Sequence, residues 1–236
     1  MTPTELLSII VPVYNEAGTV ASVIRRLLSI DLPLDREVIV VNDGSSDGTR
    51  EVLDALAGTS DRLTVIHAPK NQGKGAAIRL GLARTTGSIV SIQDADLELD
   101  PAQLATLVGP ILKGDTRVVY GSRFLGARPK MPSMSYYGNR FLTTVTNVMY
   151  GSRLTDMETC YKVMRGDIAR GLALESNRFD IEVEVTAKLL RGGNSIVELP
   201  VAFTSRGTAE GKKMRWRDGI GAVRALVRYR FSTRAR

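Results

Sequence analysis

Two carboxylates separated by one alanine, Asp94 and Asp96, close the apolar run 88–93, and Leu97, Glu98 and Asp100 follow at once. An apolar strand that ends in so much like charge, with no basic neighbour in sequence, expects a cation. In an extended segment residues i and i+2 point the same way. The pair could then reach one hard ion, Mg2+ or Mn2+, which also takes diphosphate oxygens. Such an ion neutralises charge that develops on a departing diphosphate. The plainer reading is an acidic helix start facing water, because Asp100 before Pro101 has the form of an N-cap and a first helical turn.

Two further clusters have the same double character. Asn42-Asp43-Gly44-Ser45-Ser46-Asp47-Gly48-Thr49 reads as a turn and an N-capped helix, with Ser46 or Asp47 as the cap. Yet Asp43 stands where a strand ends, and its carboxylate could accept the imide N–H of a nucleobase. Lys70-Asn71-Gln72-Gly73-Lys74-Gly75 opens a helix with glycines and a lysine. Free N–H groups at such a start favour an anion, so Lys74 could meet a diphosphate or be an ordinary surface lysine. The P-loop pattern is absent. His67 is the single histidine; it lies beside a turn, reads as structural, and supports no catalytic dyad. There is no G-x-S-x-G, and no Cys and His spacing suggests zinc.

The elements that must position these residues alternate through the first half. Apolar runs read as strands over 6–14, 37–42, 63–68, 88–93 and 117–120. Helical stretches fall between them at 17–29, 47–56, 74–84 and 101–112, with apolar residues at spacings of three and four in IRRLL and AAIRLGLAR. This rhythm predicts a mostly parallel α/β sheet with helices on both faces. Sheets of this kind bind ligands beyond the carboxyl ends of their strands. The ends after Val13, Asn42 and Gln93 therefore bring all three polar clusters to one edge. The second half is less regular. Residues 133–151 are long, mixed and weakly periodic. A helix-like FDIEVEVTAKLLRGG, a strand-like SIVELPVAF and a basic helix over about 217–229 follow. No boundary separates the halves, so the expectation is one domain over 1–236.

Composition excludes some classes. Of 236 residues, 43% are hydrophobic and 24% charged, ordinary for a globular chain with a full core. The single cysteine, Cys160, allows no internal disulfide, which fits a reducing compartment. The opening MTPTELLSIIVPVYNE has no basic n-region or cleavage pattern of a signal peptide. No apolar run approaches the ~20 residues of a membrane span. Net charge is +7, and residues 205–236 hold ten basic residues against two acidic. That excess suits a solvated tail or an anionic partner such as lipid phosphate, a phosphorylated substrate or nucleic acid. Sparse stacking aromatics and unexplained acidic clusters argue against nucleic acid.

Taken together, Ile10-Val11-Pro12-Val13-Tyr14-Asn15-Glu16, the 42–49 loop and Asp94-Ala95-Asp96 resemble, in order and spacing, the landmarks of family 2 glycosyltransferases of the GT-A fold. The likeness covers about residues 6–125, the nucleotide-sugar half. Further on, Tyr120-Gly121-Ser122-Arg123, Gly138-Asn139-Arg140 and the stretch 156–162 look like the polyprenol-phosphate branch, typified by dolichol-phosphate mannose and glucose synthases. The resemblance implies that Pro12, Tyr14, Glu16 and Asp43 hold base and ribose, and that Asp94 and Asp96 hold Mg2+ or Mn2+ and the sugar diphosphate. It implies that Arg123, Arg140 and Arg206, in the acceptor half 126–236 and just before it, hold an acceptor phosphate; a salt bridge inside the fold is the competing role for Arg123. Guanidiniums suit a phosphate dianion because each donates a planar pair of hydrogen bonds. The chain departs from the branch at Cys160-Tyr161-Lys162, where Gly-Phe-Arg or Gly-Phe-Lys is common. It departs again at Leu97-Glu98, and at Glu210-Gly211-Lys212-Lys213, which only roughly follows Gly-x-Ser-Lys.

The leading expectation is a metal-dependent inverting transferase that moves mannose or glucose from a GDP- or UDP-sugar to a polyprenyl phosphate. It would act in the cytoplasm, peripherally attached to the membrane face. A phosphate monoester is largely ionised at neutral pH and needs no base. The alternative is a hydroxyl acceptor, a saccharide or glycolipid, with Asp156 or Glu158 as general base. The basic C-terminal helix, with Ile220, Val223, Leu226 and Val227 on one side, would either lie in a membrane interface or pack that side on the core.

Overall fold

The computed structural model describes residues 5–126, 128–205 and 216–231. Its centre is a mixed seven-stranded sheet in the order β3-β2-β1-β4-β6-β5-β7. The first four strands, β1 (Leu6–Val13), β2 (Asp35–Asn42), β3 (Leu63–His67) and β4 (Ile89–Ile92), are parallel neighbours. Between them run α1 (Val20–Ser29), α2 (Thr49–Leu56) and α3 (Lys74–Leu82). β1 is buried along almost its whole length, as a central strand covered on both faces must be. α1 buries Val20, Val23, Ile24 and Leu27, a single stripe at i, i+3, i+4 and i+7. The predicted first half is thus present, and the elements differ from expectation by a few residues at their ends.

Two capping expectations resolve differently. Asp100 caps as expected: its side chain accepts from the Ala102 N–H, and Pro101 opens a short 3-10 turn into α4 (Leu104–Leu112). For α2 the N-cap is neither Ser46 nor Asp47 but Gly48, in the left-handed region at φ 91°. Asp47 still serves that terminus by accepting from the Thr49 N–H at 3.1 Å.

The second half builds into the same sheet rather than beside it. β5 (Val118–Ser122) does not neighbour β4. β6 (Lys162–Arg165) inserts between them, antiparallel to both, and β7 (Val197–Pro200) adds parallel to β5 at the edge. The weakly periodic stretch 133–151 is one 18-residue helix, α5 (Ser133–Tyr150), which buries Asn139, Leu142, Thr143 and Thr146. Polar residues on the buried face blur the periodicity. Then come α6 (Gly166–Gly171), α7 (Ile181–Arg191) and α8 (Trp216–Phe231).

α8 settles one of the sequence alternatives. Ala222, Ala225, Leu226 and Tyr229 are buried in a second core cluster with Leu142 of α5, Leu154, Met157, and Val183 and Ala187 of α7; Val223 is partly buried against it. The apolar side of α8 therefore packs inward and is not available to a lipid surface. Of the residues assigned to that side, Leu226 is buried, Val223 partly buried and Val227 substantially exposed. Among the described residues no helix is long and apolar enough to cross a membrane.

Candidate active site

The carboxyl ends of β1 and β2 are laced together by hydrogen bonds between their loops. The Asn15 N–H donates to Ser45 Oγ, and the Ser46 N–H to Asn15 Oδ1, at 3.0 and 2.9 Å. The Glu16 N–H reaches Thr49 Oγ1 at 2.9 Å, and the Ala17 N–H reaches Asp47 Oδ2 at 3.1 Å. Asn15 adopts φ 56°, a left-handed turn that asparagine tolerates. Tyr14 stands exposed at the rim, with Pro12 and Glu16 half-buried beside it. Thr19 Oγ1 donates to Glu16 Oε2 at 2.7 Å.

Asp43 is 3% exposed, and its two oxygens accept the Gln72 and Gly73 N–H groups at 2.9 and 2.7 Å. It thus fixes the loop that leads into α3. It also lines a cleft of about 330 Å³ with Ala68, Gln72, Ala76 and Arg79. Asn42 and His67 are occupied with each other: Asn42 Nδ2 lies 3.0 Å from His67 Nδ1, and His67 Nε2 lies 3.0 Å from Asp54 Oδ1. The histidine is structural, as its place in the sequence indicated.

The acidic end of β4 is a turn, not an extended segment. Leu97 takes φ 61°, and Asp96 Oδ1 accepts the Glu98 N–H at 3.1 Å. Two buried side chains shape this turn. Gln93 Nε2 donates to the Asp94 and Leu99 carbonyls at 3.1 and 3.3 Å, and the Tyr161 hydroxyl donates to Gln93 Oε1 at 2.6 Å. A cation is already present at Asp94: Lys74 Nζ lies 2.8 Å from Asp94 Oδ1 and 3.0 Å from Glu182 Oε1. Burial alone would raise the Asp94 pKa, but the Lys74 charge and hydrogen bond, helped by the Cys160 thiol, hold it below the ordinary value. Burial likewise works against the Lys74 ammonium, and the carboxylates of Asp94 and Glu182 outweigh it, so its pKa lies well above normal.

Lys74 reaches this position because the start of α3 is pressed against the segment before α7. Gly73 sits at φ +104°, and a Cβ there would fall 2.4 Å from the Asn177 carbonyl oxygen. The Ala76 N–H donates to that same carbonyl at 3.0 Å. Only glycine permits so close an approach. Glu182, at the start of α7, then faces both Lys74 and the fully buried Lys162, whose Nζ lies 2.5 Å from Glu182 Oε2 and from the Thr159 carbonyl. The Cys160-Tyr161-Lys162 departure is therefore interior structure, and Lys162 also lies 5.0 Å from the Tyr120 ring centroid.

On the other side of β5, Arg123 is joined to Asp156. Nε meets Oδ2 at 2.7 Å, Nη2 meets Oδ1 at 2.8 Å, and the Arg123 N–H adds a bond to Oδ2 at 3.0 Å. Asp156 is 0% exposed. The Glu198 carboxylate holds its loop by accepting the Thr155 and Asp156 N–H groups at 2.7 and 2.9 Å. Burial opposes the Arg123 charge, but Asp156 raises its pKa above the usual value. With both carboxylate oxygens bound to a guanidinium, Asp156 is poorly placed to take a proton. Glu158 differs. Its Oε1 is buried with no hydrogen-bond partner, and burial lifts its pKa to about 7 against the pull of Lys162 and Arg123. Arg140, exposed on α5, and Arg123 each place Cζ 5.8 Å from the Phe124 ring centroid. Arg206 lies outside the described residues, as do 210–213.

The sequence did not single out Glu182 and Glu198. Glu182 had a faint signal, an acid within the otherwise apolar faces of a helical stretch; Glu198 in VELP had none. Among the described residues no group of three or more His, Cys, Asp or Glu gathers as a metal cage. A divalent ion at this turn would be held by Asp94 and Asp96 and would complete its shell with diphosphate oxygens and water. That hard-oxygen set fits Mg2+ or Mn2+.

The chain is 30% identical over 214 residues to an undecaprenyl-phosphate mannosyltransferase of Micrococcus luteus, covering 86% of this chain and 85% of that one. It is 27% identical to a polyprenol monophosphomannose synthase of Mycolicibacterium smegmatis, covering 86% and 79%. Its fold matches glucosyl-3-phosphoglycerate synthase of Mycobacterium tuberculosis, a structure determined with Mn2+, UDP-glucose and phosphoglyceric acid. The TM-score is 0.71 at 21% identity, over 97% of this chain and 79% of that one. The fold is the GT-A type, and the profile described as Glycosyl transferase family 2 matches residues 8–172, most of the chain, which therefore belongs to that family of glycosyltransferases.

Proposed function

We propose that the chain transfers a hexose from a nucleoside-diphosphate sugar to a polyprenyl phosphate at a membrane surface. The observation that carries this reading is that two guanidiniums, Arg123 from the end of β5 and Arg140 from α5, each lie 5.8 Å from the ring centroid of Phe124. Such a pair suits a phosphate dianion. The two relatives are named for transfer to polyprenyl carriers, and both are named for mannose, which makes mannose the first sugar to test.

In this reading Pro12, Tyr14, Glu16 and Asp43 receive the nucleoside, and Lys74 with Asp94 and Asp96 receives the diphosphate. Mg2+ or Mn2+, held by the two aspartates, would stabilise negative charge on the leaving diphosphate. An acceptor phosphate oxygen forms a bond to the anomeric carbon as the bond from that carbon to the diphosphate oxygen breaks. Nucleoside diphosphate leaves, and the anomeric configuration inverts. The attacking oxygen is already ionised, so no residue must remove a proton. Lys74, at the start of α3 and 2.8 Å from Asp94 and 3.0 Å from Glu182, would bring a positive charge to the diphosphate.

Glu158 favours a second reading. A buried carboxyl with one unpartnered oxygen and a pKa of about 7 has the character of a general base for a hydroxyl acceptor. One experiment separates the two. GDP-mannose, UDP-glucose and related donors are offered with polyprenyl phosphate or with saccharides, in Mg2+, Mn2+ or EDTA. The leading reading expects a lipid-linked sugar, with Glu158→Gln retaining most of the rate. Transfer to hydroxyls alone, lost by ~10²-fold or more in Glu158→Gln, establishes the second reading and sinks the first.

A further inference from the structure

Among the described residues four of the five most exposed large apolar side chains gather on one helix, the fifth being Phe231 of α8. Met134, Tyr137, Phe141 and Val148 of α5 are 79, 65, 60 and 80% exposed. At ~100° per residue the four project within an arc of roughly 60°, along about 21 Å of helix. The arc lies opposite the face that buries Asn139, Leu142, Thr143 and Thr146 against the second core cluster. Scattered surface hydrophobics are normal, but a continuous stripe on one helix is a contact surface.

We propose that this outer face of α5 rests on an anionic lipid bilayer. The choice of lipid over a protein partner rests on the polyprenyl-phosphate reading and on the charge around the stripe. α5 carries a single charged side chain, Arg140, and no acid. Exposed Arg128 and Lys130 stand just before its first turn. Arg128 Cζ lies 4.8 Å from the Tyr136 ring centroid, and Tyr136 meets Tyr137 edge-on at 5.3 Å, so this basic side chain borders the stripe directly. An apolar strip with aromatic residues and a basic margin matches the headgroup region, where rings sit at the interface and cations meet lipid phosphates. A face of one sign repels a second copy of itself. The arrangement also places Arg140, on the same helix, next to the bilayer that holds the acceptor's tail. Each basic residue contributes about fivefold to partition onto an anionic leaflet.

The test is flotation of the full chain with vesicles that contain no polyprenyl phosphate. The wild type is expected to float with mixed phosphatidylcholine and phosphatidylglycerol, to float poorly with phosphatidylcholine alone, and to release in high salt. Tyr137→Ser with Phe141→Ser should weaken partition by at least ~10-fold, and Arg128→Gln with Lys130→Gln by a similar factor. Circular dichroism and donor-nucleotide affinity should stay unchanged, because these side chains are exposed. A polarity-sensitive dye on Met134→Cys should shift to the blue when anionic vesicles are added; the native Cys160 is buried and stays unlabelled. The proposal is overturned if the wild type ignores anionic vesicles, if the variants float equally well, or if the dye is already shielded before vesicles are added. It is also overturned if the wild type is a dimer that Tyr137→Ser with Phe141→Ser dissociates. Transfer to a short, water-soluble prenyl phosphate without vesicles reads the acceptor chemistry separately. Its loss alongside normal flotation would refute the acceptor reading and leave the docking face standing.

Discussion

The donor-side loops and the acceptor-side charges solve opposite problems. The loops after β1, β2 and β4 stay half-open and are tied by single hydrogen bonds between neighbouring loops, Asn15 to Ser45 and Ser46, Glu16 to Thr49. Tyr14 and Asn15 stand exposed there, Glu16 is half-buried, and Asp94 keeps 28% of its side chain exposed. Across β5 the charges are buried more deeply: Arg123 pairs with Asp156, and Lys162 with Glu182, which also meets Lys74. There a lost partner leaves an uncompensated charge in low dielectric. The donor side should therefore lose function while keeping its fold when a carboxylate is neutralised, and the acceptor side should lose its fold first.

The largest test of that contrast is Asp156→Ala. Removing one member of a buried pair leaves the Arg123 guanidinium unpaired, at a cost of about 3–5 kcal/mol. Chemical denaturation should show a midpoint shift of that size. A change within 1 kcal/mol would mean that the pair is solvent-relaxed and that the two sides are alike.

Asp96→Asn is the matching change on the donor side. Transfer should fall by at least ~10²-fold, typical of lost charge stabilisation, with the thermal midpoint nearly unmoved. Near-normal transfer in EDTA would remove the metal from the account.

Glu158 sharpens the boundary between the sides. Its folded pKa is raised from the ordinary 4.5 to about 7, first by burial. The folded state keeps a proton that the unfolded chain has released, so stability should fall as pH rises from about 4.5 to 7. Glu158→Gln should flatten that slope and stabilise the protein at pH 8 by on the order of 1–3 kcal/mol. An unchanged pH profile of unfolding would place Glu158 in water.

The smallest effect expected is on nucleotide affinity. Asp43→Asn keeps acceptors for only part of the Gln72 and Gly73 contacts, and should weaken nucleoside diphosphate binding about tenfold by loosening the loop. Unchanged calorimetric affinity for UDP and GDP would free Asp43 of any role in the donor site.

How much of this was legible in the sequence follows the same division. The parallel half is encoded locally. Apolar runs of strand length, helical spacing in IRRLL and turn chemistry at Asn42–Thr49 each fix their own element, and parallel connections leave the polar ends on one edge. The acceptor half hid for two reasons. Polar Asn139, Thr143 and Thr146 on the buried face of α5 broke the periodicity that would have announced a helix. And β6 entered the sheet antiparallel between β4 and β5, a placement that no local signal specifies.

The sequence by itself determined the family motifs, the strand ends that carry them, and the shortage of histidine. Those are contiguous patterns whose physics is local. Only the tertiary structure decided which charges neutralise which. Lys74 meets Asp94 and Glu182 across 20 and 108 positions of chain, and Arg123 meets Asp156 across 33. It also decided that α8 turns its apolar side inward while α5 shows one to the outside. Ion pairs and buried faces depend on distances through space, and those distances exist only once the sheet has brought its two halves together.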